Sequence, residues 1–279
     1  MRREDLSVTC LHPATYVQSE WKIPEVNKAM TSLLTRISRP LAGVVAAAML
    51  ATPIAAVPAR ADQSDRIVFD VELRGIRAGE LSINGKITEG AYGANGVLQT
   101  AGLVGFLRKI KFTASVSGLF ADGRFTPLKY TEVDDAPNRD SRHEIIYNNG
   151  TPVSVSRVPP RKPKERDVDP AKQGGTVDPL TALYAVLRDV PRDEACKLDV
   201  KMYDGARRSQ VRLFDPKPDG KGLVCSGEYR RLEGFSEKDM KEKSRFAFTL
   251  YYDPSAKGGL QVDRIETDTI YGKGRLTRR

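Results

Sequence analysis

The sequence predicts a mainly β protein, a curved antiparallel sheet or incomplete barrel packed around one amphipathic helix. Three observations predict it. From Arg66 onward apolar residues alternate with polar ones at a period of two, the pattern of half-buried strands. Turn signals such as Asp122-Gly123 and Asn149-Gly150 separate these runs at hairpin distance, where Asn, Asp and Gly tolerate positive φ. A single segment, 178–189, changes to helical spacing.

The first strand places Ile67, Phe69, Val71 and Leu73 on one face, and Leu81, Ile83 and Ile87 repeat the alternation after Gly75 and Gly79. Ile110 to Val116, Phe125 to Val133, His143 to Tyr147 and Val153 to Val155 continue it. Residues 157–175 then break the pattern. Pro159, Pro160 and Pro163 among basic residues cannot form a sheet interior, so an exposed, extended loop is expected. Within it Arg161, Lys162, Lys164 and Arg166 are candidates for contact with an anionic surface.

The helix follows directly. Asp178 suits the N-cap, Pro179 suits the first helical position, and Leu180, Leu183, Tyr184 and Leu187 recur at i, i+3, i+4 and i+7, with Pro191 expected to stop the helix. Its apolar stripe must be buried, and the concave side of the sheet is the available surface. Leu183, Tyr184 and Leu187 are therefore candidates both for anchoring the helix and for lining a ligand cleft beside it. Strands at Leu198 to Met202, Val211 to Leu213, Leu223 to Tyr229, Phe246 to Tyr252 and Gln261 to Tyr271 complete the sheet.

The N-terminal region carries an address. Arg36 and Arg39 precede the uncharged run Leu41 to Ala51, followed by Ala59-Arg60-Ala61, the order of a secretory signal peptide. That run falls well short of the roughly 20 apolar residues that span a bilayer as a helix. Residues 1–29 carry Glu4, Asp5, Glu20 and Glu25 and read as an extension ahead of a start at Met30, and 30–61 as the signal, cleaved near Ala61. Residues 62–279 form one mainly β domain without a transmembrane segment, and the expected location is the periplasm.

Of three cysteines, Cys10 lies in the leader, which leaves Cys196 and Cys225 to pair in an oxidising compartment. Both share the inward parity of their neighbours. Two strands separated by a third lie about 9.6 Å apart, too far for a disulfide, which needs Cα atoms within about 7 Å. Either Cys196 lies in the connection before its strand or the sheet curls there, and the first is expected.

Val68 to Leu81, Asp122 to Pro127, Asp178 to Tyr184 and Asp204 to Arg208 together resemble the bacterial envelope family DUF3108, over nearly all of 62–279. The resemblance implies no reaction. A looser architectural likeness is to periplasmic lipoprotein carriers and to envelope-integrity proteins of α-proteobacteria.

Chemistry is sparse. His143 is the single histidine after the signal, which excludes a two-histidine zinc motif and leaves a strand histidine. No Gly-x-Ser-x-Gly motif occurs in 62–279, no helix follows Gly75 and Gly79 to receive a phosphate, and Asp134 and Asp135 point to opposite faces of a strand. No metal or cofactor is implied. The formal net charge of +9 fits a solvated basic surface or an anionic envelope partner, and an exported location disfavours nucleic acid. The functional expectation is a non-catalytic binding module for an apolar or amphipathic envelope component, a lipid or lipoprotein. Its rivals are an envelope scaffold without a ligand cavity and, less favoured, a hydrolase. N-terminal sequencing of the protein recovered from the cell envelope should begin at or near Asp62, and an intact leader on the functional protein would contradict this reading.

Overall fold

The computed structural model describes residues 62–279 apart from 108 and 138. The signal-peptide reading falls on residues outside this range. Thirteen antiparallel strands form one unclosed sheet, β1 Gln63–Leu73, β2 Ile76–Thr88, β3 Ala91–Thr100, β4 Lys111–Ala121, β5 Arg124–Ala136, β6 Arg139–Asn148, β7 Thr151–Val158, β8 Asp199–Tyr203, β9 Arg208–Asp219, β10 Gly222–Glu233, β11 Arg245–Pro254, β12 Leu260–Thr269 and β13 Gly272–Arg278. The spatial order runs from β7 down to β1, then across to β13 and down to β8. The first and last strands thus meet mid-sheet, and the two edges, β7 and β8, are joined by the one long connection. Among the described residues three short α-helices complete the fold, α1 Gly102–Leu107, α2 Pro179–Leu187 and α3 Glu237–Glu242. Among the described residues no helix is long and apolar enough to cross a membrane.

Local chemistry fixes the meander. Arg74-Gly75, Glu89-Gly90, Asp122-Gly123 and Asn149-Gly150 each hold two successive positive φ angles, the two-residue turn whose twist matches that of paired strands. Between Val71 and Glu72 the β1–β2 register shifts, which leaves Ala78 as an extra residue beside Gly79. Gly79 therefore marks a bulge, while Gly75 belongs to the hairpin turn.

Strands β3 and β13 have no counterpart in the sequence reading. On β3 the inward positions Tyr92 and Ala94 are followed by Gly96. That glycine faces α2, where an added Cβ would lie 2.7 Å from Leu180 Cδ1. Gly85, on β2, likewise leaves room only for the Tyr184 ring. These two gaps let the helix sit directly on the sheet.

α2 begins as expected. Asp178 is the N-cap, accepting from the Thr181 amide at 2.9 Å and from the Thr181 hydroxyl at 2.6 Å. The burial is broader than the predicted stripe. Leu180, Thr181, Ala182, Tyr184, Ala185, Val186 and Leu187 are all buried, while Leu183 is only partly so, as befits a helix enclosed on nearly all sides. Its end also differs, because Arg188 turns to an extended conformation and Val190 pairs with Leu260 through two backbone hydrogen bonds, 2.9 and 2.8 Å. The helix thus ends at Leu187, four residues ahead of Pro191, and the chain pairs with β12 at Val190.

Polar contacts pin the helix to the wall. The Tyr184 hydroxyl donates to Asp65 Oδ2 at 2.7 Å, and Tyr92 and Thr181 hydroxyls meet at 2.7 Å. Arg188, itself buried, lies 5.4 Å from the Phe120 ring centre and pairs with Glu194 at 3.0 Å. Cys196 occupies the connection before β8 and bonds to Cys225 on β10 with Cα atoms 5.5 Å apart. Cys225 falls where the β9–β10 register shifts, so both placements avoid the intervening strand.

Two outcomes follow. Leu187→Ala should lower unfolding stability by about 2–5 kcal/mol, read by chemical denaturation, because the side chain is fully buried. Burial pushes the Asp178 carboxyl from its ordinary 3.8 up to about 6, against the hydrogen bonds from Thr181. The folded protein therefore holds that proton where the unfolded chain has lost it, and this group's contribution to stability falls as pH rises from about 4 to about 6. Asp178→Asn keeps the capping oxygen and should flatten stability across that interval; an unchanged slope would contradict the assignment.

Candidate functional site

The β7–β8 connection has to pass from one edge of the sheet to the other, and its first half forms the seam between them. Val168 N donates to Ala206 O at 3.0 Å on the β8 side, Gly175 N donates to Gly150 O at 2.9 Å at the β6–β7 turn, and Val177 makes a parallel bridge to Met202. The 157–175 stretch is accordingly less uniform than the sequence suggests. Arg157 and Val158 belong to β7, Pro170–Lys172 form a 3₁₀ turn, and Gln173 is buried; residues 158–166 are exposed throughout. Gly205, in the β8–β9 turn, lies against His143 and Val155 so closely that a Cβ there would meet the imidazole. The edges meet through this packing and the strap of backbone.

Two adjoining pockets of about 370 and 380 Å³ open along the seam and share His143, Arg157, Arg161, Asp167, Asp204 and Ala206. The first also receives Lys164, Arg166 and Arg207, and reaches inward to Tyr130 and Pro179 at the start of α2. Of the sequence candidates, Arg161, Lys164 and Arg166 come together here, whereas Lys162 lines neither pocket. Leu183, Tyr184 and Leu187 line neither; Tyr184 and Leu187 are 0% exposed and belong to the core.

Three groups were not singled out as binding residues from sequence. Arg207 follows the Asp204-Gly205 turn and enters because Asp204 Oδ1 accepts from the Ala206 and Arg207 amides at 3.0 and 2.8 Å, folding the turn back on itself. Arg157 points from β7 and donates to Ser141 Oγ at 3.1 Å. His143, read as a strand histidine, does lie on a strand, but the neighbouring edge converts its surroundings into a pocket. Pairing distance in sequence gave no signal of that neighbour.

Charge is only partly compensated. Arg161 pairs with Asp167 at 2.7 Å, and the same carboxylate oxygen accepts from the Lys164 amide at 2.7 Å. Burial would raise the Asp167 carboxyl, but these donors bring it below its ordinary value. The side chains of Lys164 and Arg166 have no ion-pair partner among the described residues. Deeper in, the Tyr130 hydroxyl donates to Glu132 at 2.5 Å, and its ring stands edge-on to His143 at 6.3 Å between centres. Burial, aided by Arg157 and Arg161 and opposed by Glu132 and Asp204, holds the His143 imidazole below its usual 6.5. The site at neutral pH is a cleft of guanidinium and ammonium groups around a neutral imidazole, suited to holding an anion by charge-assisted hydrogen bonds.

The family model described as Protein of unknown function (DUF3108) matches residues 68–214. The chain belongs to the DUF3108 family. All four sequence motifs fall inside the match, and the strands from β10 to β13 fall outside it, so the family region is shorter than the resemblance suggested. His143, the basic strap, α2 and the Asp204–Arg208 turn are all within the DUF3108 region. No curated protein sequence matches the chain. Among solved structures it is similar to a beta-barrel-like protein of domain of unknown function DUF1849 from Brucella abortus, at 14% identity and a TM-score of 0.46, over 77% of this chain and 95% of that one.

The His143 assignment predicts a nuclear magnetic resonance titration midpoint below 6.5, with a rise toward the ordinary value when Arg157 is replaced by Gln. A wild-type midpoint at or above 6.5 would contradict it.

Proposed function

We propose that this DUF3108 protein is an exported, non-catalytic interaction protein of the cell envelope that engages an anionic envelope component through its basic seam. The observation that carries the reading is a contrast between two surfaces. On the concave face Gly85 and Gly96 are already filled by Tyr184 and Leu180. At the seam, cations outnumber carboxylates and open onto solvent. A carrier of an acyl chain would need space between helix and sheet, and the fully buried Tyr184 and Leu187 occupy that space. This favours the scaffold reading over the lipid-carrier one. The signal-like order of residues 30–61 and the Cys196–Cys225 bond support an oxidising, extracytoplasmic location.

Catalysis is disfavoured by the company His143 keeps. Its neighbours are arginines, carboxylates and a tyrosine, and among the described residues no serine or threonine hydroxyl is hydrogen-bonded to it, as a nucleophile–base pair would require.

The test is sedimentation of the purified protein with isolated envelope fragments over a salt series, together with mass spectrometry of lipid extracted from the native protein. Retention should fall with salt, Lys164→Glu/Arg166→Glu should weaken it at least tenfold, and no stoichiometric lipid should be recovered. Stoichiometric acyl lipid, or wild-type retention by the double variant, would overturn the reading.

A further inference from the structure

A second basic groove, of about 640 Å³, lies across β8, β9 and β10 and is walled by Lys201, Arg208, Arg230, Arg231 and Arg245. Two carboxylates serve these five cations. Glu233 pairs with Arg208 at 3.5 Å, while Glu228 pairs with Arg230 at 3.2 Å and with Arg245 at 3.8 Å. Lys201 and Arg231 form no ion pair among the described residues, and Lys201 and Arg245 are exposed. Arg231, with Arg207, adds to the Ser236 hydrogen bonds that hold the Asp239 carboxyl below its ordinary value. Its guanidinium donates to the backbone carbonyls of Asp239 and Lys243 at 2.6 and 2.9 Å and lies 5.0 Å from the Phe246 ring centre.

The groove joins the seam through one aromatic ring. Arg207, which lines the seam, lies 5.3 Å from the centre of Phe235, and Arg231, which lines the groove, lies 5.4 Å from it. Cation–π attraction to a shared ring, together with the nearby Asp239 carboxylate, lets two like charges stand close. Gly234, just before Phe235, presses on Ala206 and Arg207 so tightly that a Cβ there would overlap their backbone. The walls of the two sites are therefore in direct contact.

Resting on the anionic-partner reading above, we propose that seam and groove form one continuous track for a linear polyanion, a chain carrying a phosphate group on each repeating unit. A flat bilayer is the poorer fit. Both sites are concave, and among the described residues no exposed large apolar side chain lines the groove or the seam pockets to serve as a membrane anchor. A single phosphate would use one site and leave the other's charge unmatched, whereas a chain meets both and releases counterions along its length.

The experiment measures binding of inorganic phosphate and of long-chain linear polyphosphate to the purified protein across a salt series, for wild type, Lys164→Glu/Arg166→Glu in the seam, and Lys201→Glu/Arg245→Glu in the groove. All four positions are exposed, and each variant's fold is checked by thermal unfolding. Polyphosphate should bind at least 100-fold more tightly than phosphate. Each double variant should weaken polyphosphate at least tenfold and lower the salt slope by about two. The groove variant should leave phosphate binding at the seam unchanged. Polyphosphate affinity unaffected by the groove variant would overturn the continuous track while leaving the seam reading intact. Affinity unaffected by the seam variant would overturn both. Anionic phospholipid vesicles that displace polyphosphate at equal phosphate concentration would replace the chain with a membrane surface as partner.

Discussion

The structure depends on direct packing of α2 against a sheet that leaves out side chains to receive it. Gly96 makes room for Leu180 and Gly85 for Tyr184, and the Tyr184 hydroxyl reaches Asp65 on β1 across the same contact. A side chain at either glycine would push the helix off the wall. Because the sheet is an unclosed meander, its concave side would otherwise expose Ile67, Phe69, Ile83, Leu250 and Val262 to solvent. The helix packs into the same core cluster, and it lies in the connection that joins the two edges. One constraint thus links core, topology and the position of the seam.

The functional surface is a by-product of that route. The chain leaves β7, turns with a cluster of prolines and cations, crosses the gap between β7 and β8, and only then enters the interior at Asp178. Basic residues that cannot be buried are left at the gap, where the Asp204–Arg208 turn adds Arg207 from the opposite edge. Of the three carboxylates present, Asp167 and Asp204 accept from backbone amides that hold the strap and the turn, and Glu132 accepts from the Tyr130 hydroxyl. Positive charge remains over. A neutral His143 at the base adds hydrogen-bonding capacity without adding charge.

Much of the fold was legible from alternation and turn chemistry, since period two and Asp-Gly or Asn-Gly pairs report local geometry. The strands that escaped notice did so for a physical reason. On β3 Gly93 and Gly96 interrupt the apolar rhythm, and Gly96 does so because the helix needs its space. On β13 Leu276 is the one large apolar residue among glycines and cations. α3 is five charged residues and Met240, set by the Ser236–Asp239 capping box and too short for a periodic signal. The helix candidates were found but their role was not, because sequence shows that Tyr184 and Leu187 are apolar-facing without showing that the opposite wall already fits them. The basic segment was visible as charge; its partners Arg157, Arg207 and His143 required knowledge of which edges face each other.

The central claim is that α2 is a fixed part of the core and not a removable plug over a ligand cleft. Native-state hydrogen exchange measures this directly through the amides of Ala182, Tyr184, Ala185 and Leu187. Protection lost only in global unfolding, at the same free energy as the amides of Ile67 and Ile83, is the predicted result. Exchange of the α2 amides through a local opening well below the global free energy, with the strands still protected, would show a displaceable helix and contradict the account.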